Sequence, residues 1–167
     1  MKRHSIPFAF VALSFAISST AQAQQAITPD QLVGVWKLQS IVYHDASTGK
    51  DTISPLSIGY VTLVREGKHL RTSVNLSAPN RKEAGTNATD AEIIQLFNSY
   101  VAYSGVVELG STATAEGTPV TTTIDVDMEP SAIGPHSRTY ALNGTKLIVI
   151  IKATPTIMST SVFEKMQ

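Results

Sequence analysis

The sequence predicts an all-β domain with one short helix, folded as an antiparallel up-and-down barrel of about eight to nine strands. Three observations lead to this prediction. Apolar residues recur at every second position in most segments, short turns join successive segments, and one segment alone has apolar residues at helical spacing. A closed barrel removes the exposed edges of a sheet. A β-sandwich accounts for the same pattern nearly as well, so the pattern alone favours the barrel only slightly.

The N-terminus has the layout of a secretory signal peptide. A basic start at residues 1–4 precedes an apolar run over residues 6–17 and the small-residue pattern Ala-Gln-Ala at residues 21–23. The apolar run is too short to span a bilayer. We therefore expect residues 1–23 to be a signal peptide cleaved after Ala23, and the protein to be periplasmic or secreted.

Composition excludes several classes of function. The chain has 167 residues, with 13 Lys and Arg against 13 Asp and Glu and no cysteine. Removal of 23 residues would leave 144, with 11 basic and 13 acidic side chains and a net charge of −2. We expect a flexible N-terminal segment at residues 24–31 and one domain at residues 32–167. Nothing in that domain indicates nucleic-acid binding, a membrane span or a Cys-ligated metal.

The first predicted strand covers residues 32–43. Its apolar residues settle into alternation, which places Trp36, Leu38, Ser40 and Val42 on one face of the strand. Because Lys37 and Gln39 occupy the other register, we expect the Trp36 face to be the buried one.

A hairpin follows the first strand. Residues 58–64 and 69–76 are strand-like and joined by a short turn, with Leu70 and Val74 on the alternating apolar face of the second strand. The polar loop at residues 77–87 is longer than compact domains usually keep. We therefore expect this loop, together with the helix that follows it, to form part of a portal.

The predicted helix begins at a capping box. Thr89 and Glu92 have the spacing at which each side chain can bind the other residue's backbone amide. Ile93 and Phe97 then begin a broad apolar stripe at helical spacing. The period changes to two at residues 103–109, so the helix should run almost directly into a strand.

The next strand covers residues 120–128. Alternation places Ile124, Val126 and Met128 on the apolar face, which we expect to be buried. Three carboxylates take the opposite register and are expected to lie in solvent: Asp125, Asp127 and Glu129.

Three strands complete the domain. Residues 137–142 and 146–152 form a hairpin pattern around Asn143-Gly144, a pair typical of a type I′ turn, and residues 158–165 form the last strand. The second of these strands is apolar in both registers around Ile150. Such a strand is expected to be covered on its outer face as well. The helix stripe is the favoured cover, and a dimer interface is the alternative.

Several motifs, in the same order along the chain, resemble the bacterial and fungal lipocalin-like domain family. The resemblance covers about residues 32 to 165. Its main motifs are Leu-Val-Gly-x-Trp-Lys-Leu at 32–38, Thr-Asp-Ala-Glu-Ile at 89–93, Tyr-Val-Ala-Tyr-Ser-Gly at 100–105 and Arg-x-Tyr-x-Leu-x-Gly-x-x-Leu at 138–147. The resemblance implies a small antiparallel barrel that holds an apolar molecule.

The sequence also departs from the pattern of that family. Thr122 and Thr123 stand where members often have two histidines, and Ser131-Ala132 stands where an aromatic residue often follows the proline. Ligand chemistry that depends on those histidines is therefore not transferred to this chain.

The resemblance assigns structural roles to three residues. Gly34 and Trp36 match the Gly-x-Trp start of lipocalin-type barrels, in which the tryptophan fills the closed end and a basic side chain often stacks on it. Arg138 or Lys165 is the expected partner, in a cation–π contact of about 1 kcal/mol.

The residues expected to line a ligand site lie on the apolar faces of the strands and at the helix-to-strand junction. They are Leu38, Val42, Val61, Leu63, Leu70, Val74, Tyr100, Tyr103, Val107, Ile124, Val126, Met128 and Tyr140.

The leading hypothesis is an exported barrel, monomeric or homodimeric, that binds a small hydrophobic or amphipathic molecule and needs no metal or cofactor. The second is an isomerase or cyclase that acts on a hydrophobic metabolite, with Tyr103, His136 or Arg138 as acid–base groups. The third is an envelope structural or interaction protein that uses the apolar strand near Ile150 as its contact surface.

Overall fold

The computed structural model describes residues 25–81 and 85–167, so the expected signal peptide lies outside the described residues. The described part contains two α-helices, a short 3₁₀ turn at Pro130–Ala132 and nine strands. The helices are α1 (Pro29–Leu32) and α2 (Asp90–Asn98), and the strands are β1 (Gly34–Asp45), β2 (Lys50–Ile53), β3 (Ile58–Glu66), β4 (His69–Ser77), β5 (Tyr100–Leu109), β6 (Thr118–Asp127), β7 (Gly134–Asn143), β8 (Lys146–Lys152) and β9 (Ile157–Lys165).

The sheet closes into an antiparallel barrel, which confirms the predicted fold class and excludes the sandwich. From β3 to β9 each strand pairs with the next, and β1 pairs with β3 on one edge and with β9 on the other. These eight strands form the barrel. Strand β2 is an addition that the sequence pattern did not reveal, and it pairs with the last four residues of β1.

The β3–β4 hairpin and the β7–β8 hairpin each turn through a glycine with positive φ, Gly67 in the first and Gly144 in the second. In the β7–β8 hairpin Asn143 pairs with Lys146, so the two-residue turn is Gly144-Thr145 rather than Asn143-Gly144. Gly144 has a φ of +60° while Asn143 and Thr145 do not have positive φ. This is the requirement of a type II′ turn, so the hairpin is confirmed and the expected type I′ turn is wrong.

The N-terminal segment closes one end of the barrel. Residues expected to be flexible pack there instead: Ile27 is buried and its amide donates a hydrogen bond to Thr118 Oγ1 at 2.9 Å. Helix α1 places Leu32, which is fully buried, over the same end. We call this the closed end, and the opposite end, next to α2 and the 3₁₀ turn, the open end.

Irregular pairing at two points reverses which side chains face inward. The register shifts between Leu38 and Ser40 where β1 pairs with β9, and between Ser104 and Gly105 where β5 pairs with β6. Each shift is a β-bulge, in which an extra residue on one strand exchanges the inner and outer faces beyond it. Strict alternation therefore fails for the ends of β1 and β6.

Helix α2 does not cover the apolar strand β8, contrary to expectation. None of its residues is buried, and Ile93, Ile94 and Phe97 are exposed. The helix contacts mainly the strand that follows it. Ile150, on the outer face of β8, is half-buried between Thr139 and Thr160 of the neighbouring strands. No helix within the described ranges is long and apolar enough to cross a membrane.

A candidate ligand site at the open end of the barrel

The closed half of the barrel is packed with side chains. Trp36 is 1% exposed, and its indole Nε1 donates a hydrogen bond to the carbonyl of Leu32 at 2.8 Å. Lys165 places its Nζ 5.1 Å from the centre of the indole ring. Its aliphatic stem reaches this position past Gly34, where a Cβ would lie 3.1 Å from Lys165 Cε. The predicted roles of Trp36 and Gly34 are thus consistent with their positions, and the cation is Lys165 rather than Arg138.

The open half contains a cavity of about 180 Å³. Its volume exceeds the roughly 150 Å³ of an apolar cavity that can bind benzene, and is below the roughly 300 Å³ at which ordinary ligand pockets begin. The cavity walls are mostly apolar. They consist of Ile41, Tyr43, Leu56, Val61, Val74, Leu76, Val101, Tyr103, Arg138, Tyr140, Val149, Ile151, Ser159, Ser161 and Phe163.

A wider space of about 600 Å³ lies above this cavity at the open end; we call it the mouth groove. It lies between α2, the start of β5, the end of β6, the 3₁₀ turn and the start of β7. Four residues border both the groove and the cavity: Val101, Tyr103, Arg138 and Ile151. The two spaces therefore adjoin at this level of the barrel.

Tyr103 and Arg138 form a polar pair where the groove and the cavity adjoin. Arg138 Nη1 donates a hydrogen bond to Tyr103 Oη at 2.6 Å, and the guanidinium carbon lies 5.0 Å from the centre of the Tyr103 ring. Burial raises the pKa of the Tyr103 phenol, and the charge of Asp127 raises it further, while Arg138 opposes both effects. The phenol therefore stays protonated at neutral pH and keeps a hydrogen for donation.

Tyr140 lies one step deeper on the same face of β7. It is 3% exposed and borders the cavity. Burial raises its pKa to about 12, against the opposing effect of the Arg138 charge. Tyr103 and Tyr140 thus place two neutral phenols beside one cation.

His136 also lines the mouth groove, two residues before Arg138. Its Nε2 lies 2.6 Å from the carbonyl oxygen of Ala132, which can only accept a hydrogen bond, so Nε2 carries a hydrogen and donates it. The three residues considered for acid–base chemistry, Tyr103, His136 and Arg138, therefore border one space.

A family model for the lipocalin-like domain matches residues 33–161 of this chain. The chain belongs to the lipocalin-like domain family. No curated protein sequence matches the chain. The family match and the closed barrel agree with the resemblance based on the motifs between residues 32 and 165.

The lipocalin-like barrel brings some of the residues that were expected to line a ligand site to the cavity or the groove. Val61, Val74, Tyr103 and Tyr140 border the cavity. Tyr100, Tyr103, Ile124 and Met128 border the mouth groove. Met128 was expected to be buried and is 38% exposed, because it lies beyond the bulge in β6. Four further predicted residues, Leu38, Leu63, Leu70 and Val107, are buried core that does not border the cavity.

Two predicted lining residues face outward because of the bulges. Val126 is 63% exposed, and Asp127 borders the mouth groove in its place. Val42 pairs with Ile53 of the added strand β2, while Tyr43 beside it borders the cavity. Asp125 and Glu129 are exposed, as expected for carboxylates in solvent, whereas Asp127 is half-buried; Asp127 and Glu129 also border the groove.

The sequence reasoning missed the contribution of β9 to the cavity. Ser159 and Ser161 are buried and share a face with Phe163. Alternation from Phe163 could have placed both serines inside. No local signal could have placed Tyr43, because its orientation depends on a bulge against a strand more than 100 residues away.

Arg81 and Tyr100 connect the end of α2 to neighbouring residues at the rim of the groove. Arg81 places its guanidinium carbon 4.9 Å from the centre of the Tyr100 ring and donates to Ser99 Oγ and the Leu96 carbonyl. Tyr100 Oη donates to Asn75 Oδ1 at 2.9 Å. These contacts tie the end of α2 to β4 while its apolar stripe remains exposed.

Proposed function

We propose that this lipocalin-like protein is exported and binds a small hydrophobic or amphipathic molecule inside the barrel. The observation on which the proposal depends is the 180 Å³ cavity in the open half, which adjoins the mouth groove. A well-packed interior has few voids larger than a water molecule. A void of this size in a barrel whose other half is full of side chains is therefore best explained as space for a ligand.

The volume of the cavity limits the apolar part of the ligand to about the size of a benzene ring. Burial of about 150 Å² of apolar surface would contribute about 4 kcal/mol before the entropic costs of binding. A larger ligand must extend past Tyr103 and Arg138 into the groove.

Two measurements test this proposal. Native mass spectrometry of protein purified from the periplasm should show a mature chain that begins at Gln24 and carries a small molecule. Titration with benzene or indole, followed by NMR, should shift amide resonances of residues around the cavity, such as Val74, Val101 and Val149. A protein that carries no small molecule and shows no shift with millimolar probes would contradict the binding function.

An isomerase or cyclase is the second candidate function. Tyr103, His136 and Arg138 border one groove, and a proton donor beside a cation can stabilise a developing enolate. If this function is correct, a ligand identified by mass spectrometry should be converted by the protein, and Tyr103→Phe should slow the conversion at least tenfold. Release of the ligand unchanged would leave binding as the function.

A further inference from the structure

We propose that Arg138 is an anion site and that the ligand of this barrel is a carboxylic acid, with its carboxylate on Arg138 and its apolar end in the cavity. This inference rests on the proposed function and adds the chemical class of the ligand.

The guanidinium of Arg138 is incompletely satisfied. Its Nε is buried and has no hydrogen-bond partner, and its one hydrogen bond among the described residues goes to the neutral Tyr103. None of the ion pairs between described residues includes Arg138. Arg138 is half-buried as a whole, but its buried Nε has lost its hydrogen bonds to water without gaining an acceptor, which destabilises a fold. A ligand that accepts a hydrogen bond from this Nε–H would supply the missing partner.

The position of Arg138 fits a ligand with one polar end. Its side chain borders both the cavity and the groove, so a carboxylate at this level can have its hydrocarbon in the cavity below. The planar guanidinium matches the two oxygens of a carboxylate. Tyr103 keeps its proton, because burial raises its pKa, and can donate to the same carboxylate.

The charges around the groove favour a singly charged ligand. Asp127 and Glu129 of the β6 end border the same space as Arg138, while His136 and Lys152 lie on β7 and β8. Lys152 has its own partner, Glu116, with an Nζ–Oε2 distance of 3.6 Å. A dianionic phosphate would be repelled more strongly by the two carboxylates than a carboxylate would. We therefore infer a carboxylate rather than a phosphate.

The experiment compares acids with their own amides. Phenylacetate, 3-phenylpropanoate and hexanoate are titrated into the full mature protein at pH 7.5, each beside its primary amide, which has nearly the same shape and no charge. We expect at least one acid to bind about 10- to 100-fold tighter than its amide, the range typical of a charge-assisted hydrogen bond. Arg138→Gln should remove this preference. Arg65→Gln is the matched control, because Arg65 contacts Asp30 on the outer surface and should keep the preference.

A second readout uses the unaltered protein, in case Arg138→Gln does not fold. The Nε–H resonance of Arg138 should shift when the acid is added and stay in place when the amide is added. Equal binding of acid and amide would overturn the anion site while the binding function stands. A preference that survives Arg138→Gln would overturn the assignment to Arg138, and tighter binding of phenyl phosphate would overturn the choice of carboxylate. If no acid and no amide binds while benzene or indole does, the anion site is overturned and the binding function stands; if benzene and indole also fail to bind and no small molecule co-purifies, both are overturned.

Discussion

At the scale of single residues, two buried aromatic side chains have opposite roles in this barrel. Trp36 fills the closed end and satisfies the carbonyl of Leu32, so its polar atom has a partner within the chain. Tyr140 borders the cavity, and its phenol is buried beside a cation. The first residue supports the fold, whereas the second belongs to the wall of the candidate site.

Replacement of the tryptophan should destabilise the closed end. We expect Trp36→Phe to lower the free energy of unfolding by about 2–4 kcal/mol, because the Leu32 carbonyl loses its donor and the smaller ring leaves a void. Lys165→Met keeps the aliphatic stem and removes the charge over the indole, which should cost about 1 kcal/mol or less. Urea denaturation followed by circular dichroism measures both changes. A loss below 1 kcal/mol for Trp36→Phe would show that α1 is not anchored through this hydrogen bond.

The buried phenol predicts a loss of stability at high pH. Folded Tyr140 keeps its proton up to a pKa of about 12, whereas the unfolded phenol loses its proton near 10.0. Between these values the unfolded state binds fewer protons than the folded state. The contribution of this phenol to the free energy of unfolding is therefore complete below pH 10 and is lost as the pH rises toward 12. The two-unit difference corresponds to about 3 kcal/mol.

Variants that lack one hydroxyl isolate this contribution. Between pH 10 and pH 12, the free energy of unfolding measured by denaturation should fall by about 3 kcal/mol less in Tyr140→Phe than in the wild type. Tyr60→Phe, which removes the hydroxyl of a tyrosine that is 41% exposed, should lose as much as the wild type. Equal losses in all three proteins would show that Tyr140 titrates alike in the folded and unfolded states.

At the scale of elements, the bulges decide which residues form the site. Ahead of the bulge in β6, Val120 and Ile124 are buried, as alternation predicts. Beyond it Val126 turns outward and Asp127 turns toward the groove. An additional residue in one strand thus gives the open end a carboxylate in place of a valine.

A matched pair of substitutions tests this reversal. Val120→Ala removes two methyl groups from the core and should cost about 1.5–3 kcal/mol. Val126→Ala removes the same atoms from a side chain that is 63% exposed and should cost less than 1 kcal/mol, mainly through strand propensity. Denaturant midpoints measure both. A comparable cost at the two positions would indicate that β6 is regular and that Val126 faces inward.

Local signals in the sequence were sufficient for most elements. The Thr89–Glu92 capping box is present, with Thr89 N donating to Glu92 Oε2 at 2.8 Å, and the helix runs into β5 within two residues of its end. The hairpins and the inward faces of β3 and β4 also follow from alternation. What could not be predicted depends on distant partners: the bulges, the packing of α1 on the barrel and the position of α2 away from β8.

At the scale of the whole molecule, the two ends of the barrel differ: one is packed with side chains, and the other contains the candidate ligand site. The closed end contains the tryptophan, α1 and part of the buried apolar core. The open end contains the cavity, the groove and the polar pair of Tyr103 and Arg138. Because the cavity contributes little packing, filling it should affect binding far more than stability.

A side chain that fills the cavity should therefore weaken ligand binding while it leaves the free energy of unfolding nearly unchanged. Val74 borders the cavity, and Val74→Phe places a ring in the space that we assign to the ligand. The added atoms enter a void rather than a packed core, so the free energy of unfolding should stay within about 1 kcal/mol of the wild-type value. The affinity for benzene, or for an acid that binds the wild type, should fall at least tenfold, as measured by NMR titration and thermal shift.

The control adds the same ring on the outside of the barrel. Val64 is 46% exposed on the outer face of β3, so Val64→Phe should leave affinity unchanged. If Val74→Phe folds and still binds as tightly as the wild type, the ligand does not use the cavity and must lie in the mouth groove. Loss of binding in Val74→Phe alone would place the apolar end of the ligand inside the barrel, because that substitution alone takes up the space between the strands.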